Sequence, residues 1–382
     1  MVKLMKKYFP NYSILRLVIT RKCNLNCKYC FVKKLDSKPI DYKIAVNAID
    51  YFLNLPGKHK SLNFFGGEPL LEFDLIKKIT SYFYKQAKIK NKNVHFYMPT
   101  NGTIHNKKII DLFKKYKFKI SVSLDGPEEI NNCNRIKKRK DYKKIISSVK
   151  VLNAERINAV VTPKTVNMMY KTFLFIKSLN IKEISIDTAR NVKWNKKYLD
   201  IYRKNLTLIA DYCIKNLWQT YKHKISPFHE YFISFLINKE DIMKKCNIYK
   251  TMITVSPEGE IIPCVDFLRY NKKAIKDYSA GNVNSKNKIN LKKIEKIMNF
   301  SVQNFLKKQS RNKFFVKKNM VCSFKDYKNK PFNKKQILLN SLIDNINFKI
   351  SKEVYKIMKN NPNFIKTLRQ YTFEDEHGKK EI

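Results

Sequence analysis

Three cysteines fall within eight residues, Cys23-Asn24-Leu25-Asn26-Cys27-Lys28-Tyr29-Cys30, directly after the apolar run Ile14–Thr20. Thiolates are soft metal ligands, and their number and spacing decide which metal site they can complete. A structural zinc site takes four ligands, usually as two separated pairs. No fourth Cys or His stands near this trio, the next His being His59. Three thiolates can instead hold three corners of an iron–sulfur cube and leave one iron open to a substrate or cofactor. That arrangement is catalytic; a zinc knuckle or three unrelated cysteines are the alternatives.

A second chemical cluster follows the strand-like stretch Ser61–Phe65: Gly66-Gly67-Glu68-Pro69. Two glycines permit a turn that brings the backbone close to a ligand. Glu68 offers a carboxylate where a ligand ammonium can sit, and Pro69 fixes the direction of the loop. Two more turn-forming stretches, Pro99-Thr100-Asn101-Gly102 and Ser123-Leu124-Asp125-Gly126-Pro127, end later strand-like runs.

Together, the C-x3-C-x-aromatic-C spacing, with Tyr29 in the aromatic position, and the Gly-Gly-Glu-Pro loop resemble the radical SAM enzymes. The resemblance implies one 4Fe–4S cluster on Cys23, Cys27 and Cys30, with S-adenosylmethionine (SAM) chelating the open iron. It also implies a low-potential electron donor of the flavodoxin or ferredoxin type. One electron then cleaves SAM to a 5′-deoxyadenosyl radical that abstracts hydrogen from a substrate. By the same resemblance Tyr29 packs near the adenine, and Gly66, Gly67, Glu68 and Pro69 hold the methionine end. Asn101 and Ser123 face the cofactor, Asp125 is close enough in sequence to share that pocket, and Arg135 reaches the SAM carboxylate, which suits a guanidinium fork.

These motifs must be held by regular elements. Six strand-then-helix units are legible before residue 225, with strands at Ile14–Thr20, Ser61–Phe65, Val94–Met98, Lys119–Leu124, Ile157–Thr162 and Glu183–Asp187. Amphipathic stretches lie between them, such as Tyr42–Leu55 and Leu75–Lys88. Thr165 is expected to cap a helix over Val166–Leu179, and a long helix is expected over Asn195–Tyr221. Alternating strands and helices predict a parallel α/β fold, with the chemistry at the carboxyl ends of the strands. Six units match the partial (β/α)6 TIM-like barrel of the family that the motifs resemble.

From about residue 226 the pattern changes. Thr251–Ser256, a Gly-bearing turn and Ile261–Cys264 predict a β-hairpin with Cys246 and Cys264 on its flanks. C-x12-G-x4-C resembles the opening of the SPASM and twitch extensions, which carry auxiliary iron–sulfur clusters. Cys322 is the one cysteine further downstream. The full SPASM pattern needs more, so the resemblance implies a single auxiliary 4Fe–4S cluster on Cys246, Cys264 and Cys322; three buried cysteines around a hairpin are the alternative. Asp266, two places past Cys264, is the nearest candidate for a general base. Cys133 and Cys213 match no motif. Expected domains are therefore 1–225 (partial barrel), 226–330 (auxiliary-cluster domain) and 331–382 (helical tail).

Composition sets outer bounds. With 382 residues, 43% hydrophobic content, 25 Phe and 22 Tyr, the chain can bury a sizeable core. It contains no uncharged apolar run of membrane-spanning length, and Arg16 and Arg21 interrupt any signal-peptide core, so a cytoplasmic protein with reduced thiols is expected. The formal charge of +48 admits acidic partners or nucleic acid. Yet the Lys is spread through nearly every segment alongside Asn and Ile, as an AT-rich genome would produce. A basic nucleic-acid binder explains neither cysteine spacing nor Gly-Gly-Glu-Pro. The wording of the motifs most resembles peptide maturases and anaerobic sulfatase maturases, so a peptide or protein substrate is expected. A sulfatase maturase and a small-molecule radical SAM dehydrogenase or cyclase are the alternatives.

Overall fold

The computed structural model describes residues 13–32, 38–135, 139–189, 192–218, 223–236, 251–269, 272–286, 288–290, 293 and 334–377. In chain order the main elements are β1 (Ile14–Thr20), α1 (Tyr42–Leu53), β2 (His59–Gly66), α2 (Phe73–Ile89), β3 (Asn93–Thr100), α3 (Lys107–Lys115) and β4 (Phe118–Ser123). Next come α4 (Glu128–Asn134), α5 (Arg139–Val151), β5 (Arg156–Val161), α6 (Met169–Ser178), β6 (Glu183–Thr188), α7 (Lys196–Asn216), β7 (Lys224–Ser226) and α8 (Phe228–Leu236). The chain continues through β8 (Met252–Val255), β9 (Ile261–Ile262), α9 (Lys272–Tyr278), α10 (Lys334–Met358) and α11 (Pro362–His377).

Two compact units emerge. The first comprises Met1–Ser123, Arg135–Glu155 and Asn247–Asn299. Its strands run in the order β4-β3-β2-β1-β8-β9, parallel except for the β8–β9 hairpin. Period-two alternation sends Leu15, Leu17, Leu62, Phe64, Phe96, Met98, Ile120 and Val122 to the helix-covered face, where all are 0–1% exposed. Phe52, Phe83, Phe96, Phe118 and Phe64 contact one another in sequence there, with ring centroids 5.0–6.5 Å apart, stacked except for the edge-to-face Phe83–Phe96 pair. The expected hairpin is present, but β8 lies in parallel beside β1 and extends the same sheet.

The second unit comprises Leu124–Asn134, Arg156–Cys246 and Phe300–Ile382. Its strands β5, β6 and β7 are parallel; neither run of strands closes on itself into a full barrel. The tail helices α10 and α11 pack here: Ile343, Ile346, Val354, Phe364 and Leu368 are buried, and Tyr202 donates to Asn347 at 2.7 Å. Thr165 stands at the N-cap position of a 3-10 turn, Val166–Met168, that leads into α6, but its hydroxyl makes no capping bond and accepts from Thr162 N at 3.1 Å. Asn205 of α7 reaches the first turn of α6 instead and accepts from Tyr170 N at 3.1 Å. A cap supplied by a distant helix leaves no local signature. Cys213 is buried in this unit, which pushes its thiol well up.

One buried cation makes a testable demand on the first unit. Lys60 of β2 is 0% exposed; its ammonium donates to Leu55 O at 3.0 Å and Pro56 O at 2.8 Å, just past the end of α1, and lies 4.5 Å from the Phe52 ring centre. Burial, with Lys92 nearby, lowers its pKa to about 7. The folded chain thus holds fewer protons at this site than the unfolded chain between pH 7 and the ordinary lysine value of about 10.4. Stability is therefore expected to rise with pH through that window. Urea unfolding at pH 7 and pH 9.5 should show the rise, and Lys60→Met should flatten it; equal slopes for both proteins would refute the assignment.

Candidate active site

The functional loops of the first unit are clamped to one another by backbone hydrogen bonds. Past the end of β1, Gly67 N donates to Thr20 O at 2.9 Å, and Glu68 N donates to Lys22 O at 2.9 Å. The glycines allow this approach: a Cβ on Gly66 would lie 2.1 Å from Thr20 O, and one on Gly67 would lie 2.2 Å from Lys22 O. So the close approach these glycines provide is to the cysteine loop. Gly66 also takes φ of +153°, which only glycine adopts readily. Pro69 is buried and opens a short 3-10 turn, Pro69–Glu72.

Glu68 ties in a third loop. It is 0% exposed; one carboxylate oxygen accepts from Leu70 N (3.1 Å) and the Thr100 hydroxyl (2.9 Å), and the other accepts from Asn101 N (2.7 Å). Burial raises its pKa above the ordinary carboxylate range, while those three donors and the charge of Arg135 pull it back down. A carboxylate has about four acceptor positions, so one remains for an incoming cation. The sign follows from the raised value: this group's contribution to stability is full below about pH 4.3 and falls as pH rises through the folded-state pKa. A bound ammonium would favour the ionised form, so SAM affinity is expected to rise with pH across the same window. Glu68→Gln should weaken SAM binding tenfold or more and remove that rise. It should also cost about 1–3 kcal/mol of stability, because an amide NH2 then faces buried N–H donors. Retained affinity with an unchanged pH profile would leave Glu68 purely structural.

Asn101 backs the cysteine loop. Its side-chain nitrogen donates to Asn24 Oδ1 at 2.8 Å and to Cys23 Sγ at 3.7 Å, and its oxygen accepts from Thr103 N at 3.0 Å and the Thr103 hydroxyl at 2.6 Å. Asn24 closes the ring by donating to the Thr103 hydroxyl at 2.7 Å. Thr100, Thr103 and Asn24 had no sequence signal beyond lying inside the loops. Leu25 N also donates to Cys23 Sγ (3.4 Å), and Cys30 N donates to Cys27 O (3.0 Å), making a turn that leaves Cys30 exposed. Among the described residues no three His, Cys, Asp or Glu stand in metal-holding geometry. The donor set nevertheless fits an iron–sulfur cluster, with three thiols on one clamped loop and two N–H groups aimed at one of the sulfurs.

Around this loop the structure brings together Tyr29 and Arg135, whose guanidinium donates to the Tyr29 hydroxyl and lies 5.8 Å from that ring's centre. Ser123 is half-buried at the end of β4. Asp125 belongs to the second unit, where its carboxylate accepts from Val160 N at 3.0 Å and its backbone N donates to Asn131 Oδ1 at 3.1 Å. Asp266 pairs with Arg269 (3.4 Å), and that arginine lies over Phe31 of the cysteine loop, 6.0 Å from the ring centre. Arg21, fully buried, donates to Leu268 O at 3.3 Å and approaches Glu258 at 4.0 Å, tying the cysteine loop to the β8–β9 segment. Cys264 is partly buried and not in a disulfide; Cys246 and Cys322 lie outside the described residues.

Comparison with known proteins agrees with this geometry. Residues 17–172 match the Radical SAM superfamily. An uncharacterized protein of Methanocaldococcus jannaschii is 32% identical over 293 residues, which cover 73% of this chain and 91% of that protein. The chain belongs to the radical SAM superfamily. A cysteine-type anaerobic sulfatase-maturating enzyme of Clostridium perfringens is 25% identical over 289 residues, 69% of this chain and 76% of that enzyme. Among solved structures, native anSMEcpe with bound AdoMet and the Kp18Cys peptide superposes with a TM-score of 0.71 at 20% identity, over 94% of this chain and 99% of that one. At that identity the likeness is one of fold. The chain is thus a radical SAM enzyme with an open α/β sheet, related to anaerobic sulfatase maturases, and SAM with one 4Fe–4S cluster is the cofactor pair its family implies. No helix among the described residues is long and apolar enough to cross a membrane.

Proposed function

We propose that the chain modifies a peptide or protein, as a maturase of a ribosomally made peptide, in the cytoplasm. The observation that carries this reading is the clamp between the cysteine loop, Gly66–Glu68 and Asn101. It stands in a chain whose fold is shared along almost its whole length with a peptide-bound structure. Cys23, Cys27 and Cys30 would hold the cluster. Glu68 would take the methionine ammonium, Arg135 its carboxylate, and Tyr29 would pack beside the adenine, with Ser123 and Asp125 as further candidate pocket residues. When bound, the cluster and SAM supply a 5′-deoxyadenosyl radical; the protein positions the reacting carbon within van der Waals reach and excludes water. Asp266 is the candidate base, held by Arg269. A flavodoxin- or ferredoxin-type donor supplies the electron. Cys264, with Cys246 and Cys322, would hold one auxiliary cluster.

A second reading, a sulfatase maturase, is favoured by the sulfatase-maturating relative. The deciding experiment incubates the anaerobically reconstituted chain with SAM, dithionite and two kinds of peptide. One kind is encoded by short reading frames flanking the gene; the other is a sulfatase-derived cysteine peptide. A mass change in the first kind alone supports the maturase of a ribosomal peptide. A change in the second alone replaces that reading with sulfatase maturation, and 5′-deoxyadenosine formation with neither peptide altered points to a small-molecule substrate.

A further inference from the structure

On the face of the first unit's sheet opposite its helices, one level of side chains is polar from strand to strand. Register aligns Thr254 of β8 with Arg16 of β1, Arg16 with Asn63 of β2, and Asn63 with Tyr97 of β3. Neighbours in register share a face, and strands are about 4.8 Å apart, so the four positions span about 14 Å. Arg16 is half-buried and its guanidinium lies over Phe65, 5.6 Å from the ring centre. Among the described residues it makes no hydrogen bond and no ion pair. Burial lowers its pKa, opposed by the nearby Tyr97 and Cys264.

The neighbours of Arg16 are donors without recipients. Asn63 Oδ1 accepts from the Ser61 hydroxyl at 2.8 Å, while its amide nitrogen donates to nothing among the described residues. The Tyr97 hydroxyl likewise has no hydrogen-bond partner there. Thr254 is fully buried, and its hydroxyl is also without one. No Asp or Glu stands on this face of β1, β2, β3, β4 or β8, whereas Lys119 of β4 adds a second cation. A half-buried guanidinium with no carboxylate on its face of the sheet, flanked by idle donors, is costly for the empty protein and suited to a planar anion.

We propose that this row anchors a carboxylate of the substrate, with Arg16 as the fork and Asn63 and Tyr97 as flanking donors. The substrate is therefore an acidic peptide, bearing Asp, Glu or a free C-terminal carboxylate near the residue that reacts. The word peptide rests on the function proposed above; the carboxylate site does not. Arg16 here is a binding residue at the level of the sheet below the clamped loops, about 13 Å along β1 from Thr20 at four residues' rise.

The test uses the full chain, anaerobically reconstituted, with glutarate, glutaramide and inorganic phosphate as probes in calorimetric and saturation-transfer titrations. Glutarate is expected to bind and glutaramide not to. Arg16→Gln should weaken glutarate at least tenfold, Arg16→Lys should recover part of that loss, and Lys77→Gln on the surface of α2 should change it less than twofold. Iron content of Arg16→Gln should match the parent. Equal glutarate affinity in parent and Arg16→Gln overturns the proposal, as does phosphate binding as tightly as glutarate. Loss of iron in Arg16→Gln also overturns it, since Arg16 would then be the counter-ion of Cys264 and its cluster. Failure of the parent chain to cleave SAM would instead strike the enzyme reading and leave the glutarate result intact.

Discussion

A chain in which Cys23, Cys27 and Cys30 are all Ala is expected to form no 5′-deoxyadenosine from SAM and dithionite under conditions where the parent turns over. The reason is stoichiometric. SAM cleavage needs a reduced cluster with one open iron, and these three thiols are the proposed ligands on the clamped loop. Single replacements leave two thiolates and a chance of partial assembly, so the triple change is the cleaner experiment. Iron analysis separates the two cluster sites in the same sample. The parent should carry about eight iron atoms, two four-iron clusters, and the triple variant about four. Substantial turnover in the triple variant would end the assignment of this loop. A triple variant without iron would reduce Cys246, Cys264 and Cys322 to packing and remove the auxiliary cluster from the proposal.

The sequence made the strands legible because each carries its own alternation or apolar run. Ile14–Thr20 is the observed β1 to the residue, and the other five strands expected before residue 225 shift by at most two residues at either end. What it did not reveal is where strands go when the partner is distant. Thr251–Ser256 reads as half of a hairpin, yet its outer edge pairs with β1, and only the three-dimensional register exposes that. The site behaves the same way. Residue types and spacing identified Cys23, Cys27, Cys30 and Glu68 as chemical groups. Their partners Asn24, Thr100 and Thr103 are ordinary loop residues whose roles arise from contacts across roughly 30–80 positions of chain. Arg16 was visible only as a charge inside an apolar strand. Its meaning comes from the face it occupies and from the donors beside it.

Gly67→Ala is expected to produce a large loss from a single methyl group. Its added Cβ would stand 2.2 Å from Lys22 O, 2.7 Å from Lys22 C and 2.8 Å from Arg21 O, all backbone atoms. No side-chain rotation relieves such contacts, so either the cysteine loop or the Gly66–Glu68 turn must move. Movement breaks the bonds from Gly67 N to Thr20 O and from Glu68 N to Lys22 O. Overpacking a tight site costs about 1–3 kcal/mol and occasionally more, and two buried hydrogen bonds add about 1 kcal/mol each. A loss of about 3–5 kcal/mol follows, a large part of the stability of an ordinary domain. Gly67 is not among the glycines with positive φ, so backbone conformation contributes nothing and the loss measures the clamp alone. Chemical unfolding gives the stability. Iron content and SAM affinity of the reconstituted variant give the consequence, since the cysteine loop can hold a cluster only in the position the clamp fixes. A variant that unfolds at the parent's denaturant midpoint and takes up the parent's iron would show that the two loops are not locked together.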